Sequence, residues 1–147
     1  IESTKEFTFN NIRQFNRNPI LGTFEGADGL KTGWTEEAGY CLAATAVQND
    51  IRLIAVILNT KSESERKTAA QELLTYGFKN FKMVNFKKAG EIVDNIDVTI
   101  GKKTSAQLKL DSDIQIFIPV TRENDIETVI SKTFTSLKAP VTTGTSV

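Results

Sequence analysis

The chain has 147 residues, 39% apolar and 24% charged, with 18 basic residues balancing 18 acidic ones. That is the composition of a globular protein without the electrostatic footprint that nucleic acid requires. It has no histidine and a single cysteine, which excludes histidine acid–base chemistry, histidine-based metal sites and an internal disulfide; no cofactor or metal is expected.

No apolar run reaches membrane-spanning length. No signal peptide is present, and the chain opens on Ile1, so the missing signal is expected to reflect a missing N-terminus. Residues 1–27 are polar and turn-rich. Asn10-Asn11, Asn16-Arg17-Asn18-Pro19 and Gly22 break up short apolar pieces such as Ile20-Leu21, which predicts irregular structure with room for one hairpin.

Residues 28–58 read as three antiparallel strands: Leu30 to Trp34, about Gly39 to Val47, and Ile51 to Leu58. Thr35-Glu36-Glu37 forms the first turn and Gln48-Asn49-Asp50 a three-residue hairpin loop. The third strand is almost wholly apolar, which predicts a central strand covered on both faces. Cys41 has apolar neighbours and no basic partner, so it reads as a buried small residue rather than a nucleophile.

Residues 62–78 read as a helix. Ser62 and Glu65 form a capping box. Ala69, Ala70, Leu73, Leu74 and Phe78 make its apolar stripe, and Gly77 is its expected left-handed stop. The helix is expected to cover one face of the sheet.

Residues 81–90 read as a linker. Around it Lys79, Lys82, Lys87 and Lys88 alternate with Phe81, Met83, Val84 and Phe86. Zero net charge favours a strand-like connector over a nucleic-acid site. From residue 91 the period is two: Ile92, Ile96, Val98 and Ile100, with Asp94 the exception, and then Ile114, Ile116 and Ile118. Ile126, Val129, Ile130 and Phe134 continue the apolar supply. This predicts a small all-β sandwich that is incomplete at residue 147.

Lys31-Thr32-Gly33 is the segment most able to carry chemistry. A lysine ammonium supplies positive potential for a carboxylate, and a threonine hydroxyl can donate to it. Glycine lets a ligand backbone lie against the strand. On a regular strand Lys31 and Gly33 face one way and Thr32 the other. The Trp34 backbone N–H can serve as an oxyanion donor.

Asp28-Gly29-Leu30, Lys31-Thr32-Gly33, Thr35, Ala38-Gly39-Tyr40 and Arg52-Leu53-Ile54 together resemble the C-terminal part of a low-molecular-mass penicillin-binding protein, a serine-type D-alanyl-D-alanine carboxypeptidase. Asn16 to Leu21, Leu73 to Phe78 and Leu137 to Val141 extend the resemblance over nearly the whole chain. It implies an α+β fold: the C-terminal part of a β-lactamase/transpeptidase-like domain at 1–80, a linker at 81–90 and a β-rich domain at 91–147. It implies an acyl-enzyme mechanism on peptidoglycan stem peptides ending in D-Ala-D-Ala, with β-lactams acylating the same serine. Lys31, Thr32, Gly33 and Arg66 would bind substrate, Lys31 would also influence proton transfer, and the Trp34 N–H would complete the oxyanion hole. The parent protein would act on the outer side of a bacterial membrane, attached through an anchor that this chain lacks.

K-T-G is one of three motifs that build such sites, beside S-x-x-K and S-D-N. No Ser-x-Asn occurs. Ser64-Glu65-Arg66-Lys67 spells S-x-x-K, but it follows K-T-G where the family places it well before, and helix capping explains its composition. The chain is therefore expected to be inactive alone, with its nucleophile in a missing N-terminal half. The alternative is a non-catalytic cell-wall-binding protein that retains the K-T-G wall.

Overall fold

The computed structural model describes residues 1–146. The fold is α+β and divides into two compact units, Ile1–Lys82 and a second from Met83 onward.

The first unit opens with a two-stranded hairpin, β1 (Glu6–Phe9) and β2 (Ile12–Phe15). Asn10 and Asn11 both take positive φ at its turn, as a two-residue hairpin loop demands. The segment after it folds on its own asparagines: Asn16 Oδ1 accepts from the Asn18 N–H at 2.9 Å, and Asn18 Oδ1 from the Ile20 N–H at 3.2 Å. These turns deliver Ile20, fully buried, into the core.

A three-stranded antiparallel sheet follows, ordered β3 (Ala27–Thr35), β4 (Gly39–Gln48), β5 (Ile51–Thr60). The antiparallel neighbours are those the sequence predicts, but β5, expected to be central, lies at the edge of the sheet among the described residues. The second loop is one residue shorter than expected. Gln48 pairs with Ile51, so only Asn49 and Asp50 form the turn, both at positive φ. At the same end of β4, Gly26 takes φ +76, and a Cβ there would lie 2.0 Å from the Val47 carbonyl oxygen. Only glycine fits that approach.

Helix α1 (Glu63–Asn80) crosses one face of this sheet. Ser62 is its N-cap and accepts from the Glu65 N–H at 3.1 Å. The Glu65 carboxylate reaches back to the N–H of Lys61 rather than Ser62. Ala70 and Leu74 are buried and join Ile20, Leu42, Ala44, Ala46 and Ala55 in one core. Leu73, expected in the apolar stripe, is nearly half exposed; it projects one side of the Arg66-Ala70-Leu74 line.

Two expectations are corrected here. Gly77 does not stop the helix, which continues to Asn80. Gly77 instead lets the helix approach the sheet, because a Cβ would meet Leu53 Cδ1 at 2.5 Å. β5 is covered on one face, not two. Leu53, Ala55 and Ile57 turn to the helix side, while Ile54, Val56 and Leu58 are 63%, 60% and 68% exposed. An apolar run signals two buried faces, but one helix covers only one of them.

The second unit contains two small sheets. In one, β7 (Ile92–Thr99) pairs antiparallel with β8 (Ser105–Lys109) and parallel with β10 (Ser136–Lys138). In the other, β6 (Phe81–Lys87) pairs with β9 (Ile114–Pro119), so the segment read as a linker is largely strand. A register shift falls between Ile92 and Asp94, and Asp94, the exception on the apolar parity, is paired with Lys132 Nζ at 2.7 Å. Past the shift Ile96 is buried. Val129, Ile130 and Phe134 are exposed and lie outside regular strands. Among the described residues no helix is long and apolar enough to cross a membrane.

Candidate active site

β3 lies at the edge of its sheet, so its outer backbone edge is open among the described residues. Lys31, Thr32, Gly33 and Trp34 pair with Ala43, Leu42, Cys41 and Tyr40 in turn. Paired residues share a face. Thr32 and Trp34 therefore share the helix side with Leu42 and Tyr40. Lys31 and Gly33 share the opposite side with Ala43 and Cys41, continuous with exposed Val56.

Lys31 is exposed, and its Nζ donates to the Thr32 carbonyl at 2.6 Å. Thr32 is half-buried. Gly33 sits at an unstrained position: a Cβ would meet only Cys41 Cβ, at 3.8 Å. The chain's own packing therefore does not require glycine there. Cys41 is half-buried, with its thiol directed at the Ala38 carbonyl 3.3 Å away.

Arg66 comes to this strand from the first turn of α1. Only 3% of it is exposed. Its Nη1 donates to the carbonyls of Gly33 and Cys41, each at 3.4 Å, and its Nη2 to Glu63 Oε1 at 3.1 Å. Its Nε is buried without a partner. The guanidinium carbon lies 5.6 Å from the centre of the Tyr40 ring. Tyr40 stacks at a tilt on Trp34, centroids 5.9 Å apart. The structure thus gathers Lys31, Thr32, Gly33, Trp34 and Arg66 around β3, with Arg66 buried on the helix side of the strand.

Tyr40 was not singled out as a functional residue. Its signal was available, because a three-residue loop between Thr35 and Gly39 places it opposite Trp34. A second feature also escaped. Arg52 clamps Asp28 through two bonds of 2.9 and 2.8 Å and donates to Thr45 Oγ1 at 2.8 Å. This ties β5 to β3 across β4, three residues before Lys31. The hydrogen bond from Arg52 holds the Asp28 carboxyl below the usual carboxylate range.

Ser64 and Lys67 share no hydrogen bond among the described residues, and Ser64 is exposed on the first turn of α1. A shallow concavity on α1, lined by Thr68, Gln71, Thr75 and Lys79 among others, takes no residue from β3.

Residues 1–62 match the D-alanyl-D-alanine carboxypeptidase family, and residues 81–147 match the C-terminal domain of penicillin-binding protein 5. The chain is 37% identical over 142 residues to D-alanyl-D-alanine carboxypeptidase DacA of Escherichia coli, covering 96% of this chain and 35% of that protein. Penicillin-binding protein 5 of Haemophilus influenzae superposes with a TM-score of 0.77 at 35% identity, over 98% of this chain and 42% of that one. Penicillin-binding protein D2 of Listeria monocytogenes, solved in an ampicillin-bound form, matches over 52% of this chain and 32% of its own, with a TM-score of 0.50 and 35% identity. The chain spans little more than a third of the length of the curated relatives it matches.

Proposed function

Because the chain belongs to the D-alanyl-D-alanine carboxypeptidase family of penicillin-binding proteins, of which it spans a C-terminal portion, we propose that β3 is the substrate-facing wall of a serine acyl-transfer site. The parent enzyme removes the terminal D-Ala of peptidoglycan stem peptides through an acyl-enzyme, outside the cytoplasm, and β-lactams acylate the same serine. The unit ending at Lys82 supplies this wall, and the residues from Met83 onward form a separate β-rich domain.

One observation carries this reading. Gly33 is open on an edge strand whose packing does not need glycine, beside an exposed lysine and a threonine hydroxyl. A ligand backbone can then add to β3 as a further strand. Thr32 donates to the terminal carboxylate. Arg66, buried behind Gly33, adds positive potential through a medium that screens it weakly. Lys31 lies on the opposite side of the strand, where it meets the reacting serine and assists proton transfer. The Trp34 N–H stabilises the oxyanion as the tetrahedral intermediate forms. The serine and its base would be supplied by residues outside this chain, packed on the open side of β5.

The test uses a fluorescent penicillin. The 147-residue chain alone is expected to stay unlabelled, and stoichiometric labelling at Ser64 would overturn this. In the complete enzyme Thr32→Val is expected to slow acylation with the fold intact; unchanged acylation would remove Thr32 from the site. Upstream coding sequence carrying S-x-x-K and S-x-N separates this reading from a non-catalytic wall-binding protein.

A further inference from the structure

Trp34 is the only tryptophan of the chain, and it is 60% exposed. It is also held in place. Its ring rests on Tyr40, Tyr40 rests against the Arg66 guanidinium, and Arg66 is fixed by Gly33, Cys41 and Glu63. A large aromatic supported on one side and open on the other is a preorganised contact surface, since little rotamer freedom is left to lose on binding.

Its place on β3 defines what it can touch. It is two residues beyond Thr32 on the same face, about 7 Å along the strand. A ligand that puts its carboxylate at Thr32 and its reacting carbonyl at the Trp34 N–H directs its acyl substituent past the indole. The indole is uncharged, so the complementary group is planar and apolar.

We propose that the Trp34 side chain is a specificity-determining platform that selects ligands bearing an aromatic or planar apolar acyl substituent. This rests on the reading of β3 as the acyl-transfer wall.

The experiment compares acylation of the complete enzyme by benzylpenicillin, which carries an arylacetyl group, and by 6-aminopenicillanic acid, which carries none. The readout is the ratio of their second-order rate constants, so any general effect on the oxyanion hole cancels. Trp34→Ala is expected to lower the ratio about two- to tenfold, the scale of one aromatic contact. Trp34→Phe is expected to restore most of it, which a merely structural role would not do. Tyr40→Leu, which removes the prop, is expected to lower the ratio less. An unchanged ratio in Trp34→Ala overturns the platform, whether or not both rates fall. Thr32→Val, run alongside, separates the two ideas: it slows both compounds if β3 is the site and leaves both unchanged if it is not.

Discussion

Arg66 Nη1 donates to the Gly33 carbonyl across 3.4 Å, linking the first turn of a helix to the glycine of an edge strand 33 residues earlier. The guanidinium is buried and incompletely bonded, a costly arrangement for stability alone. Arg66→Met, which preserves volume, is expected to change the melting temperature of the chain by only a few degrees. Arg66→Ala leaves a cavity and is expected to cost about 2–3 kcal/mol. In the complete enzyme Arg66→Met should slow benzylpenicillin acylation at least about tenfold, the scale of a charge-assisted contact. Acylation at the parent rate would assign Arg66 to the fold only.

Gly33→Ala separates folding from binding. The added methyl meets only Cys41 Cβ at an ordinary distance, and alanine is preferred to glycine inside a strand. Thermal unfolding should show equal or slightly higher stability. Acylation should fall, because the methyl occupies the space a ligand backbone needs. A destabilised fold would contradict the structure, and undiminished acylation would contradict strand addition.

Gly77→Ala should behave unlike a typical helix substitution. Replacing a helical glycine with alanine is worth about 1 kcal/mol, but here the methyl runs into Leu53 Cδ1. Urea unfolding is expected to show no gain in the parent chain and the full gain on a Leu53→Ala background. Additive effects in this double-mutant cycle would show that the two residues do not touch.

The Asp28–Arg52 clamp makes a pH-dependent contribution. Arg52 lowers the Asp28 pKa in the folded state, so the folded chain binds a proton there less readily than the unfolded one. The stabilisation is present above the unfolded carboxylate value of about 3.9 and is lost as pH falls through the lowered folded value. Both side chains are more than a third exposed, so the effect is small and screened by salt. Melting curves of the chain and of Asp28→Asn should differ most near neutral pH and converge once the pH has fallen through the lowered folded value. A constant difference down to acid pH would show that the clamp acts through packing.

Strand neighbours and the capping serine were legible because each rests on local chemistry. Lys31-Thr32-Gly33 stands out as a candidate carboxylate-binding strand only with the neighbouring motifs that carry the family resemblance, whereas Ser62 with Glu65 reads as a helix start from spacing alone. Gly77 was not legible in the same way. A glycine near a helix end suggests a stop, and only the distance to Leu53 shows that it is a contact point. Asp28 and Arg52 stand 24 residues apart, so nothing local announces their pairing.

By itself, then, the sequence determined the three-strand run from β3 to β5 and the start of the helix after it, because propensity, capping and alternation act over a few residues. Tertiary structure decided the arrangement around β3: Arg66 behind Gly33, Tyr40 beneath Trp34, and an apolar face of β5 left open. Those relationships depend on how a helix and three strands pack in space, and a linear pattern carries no such distances.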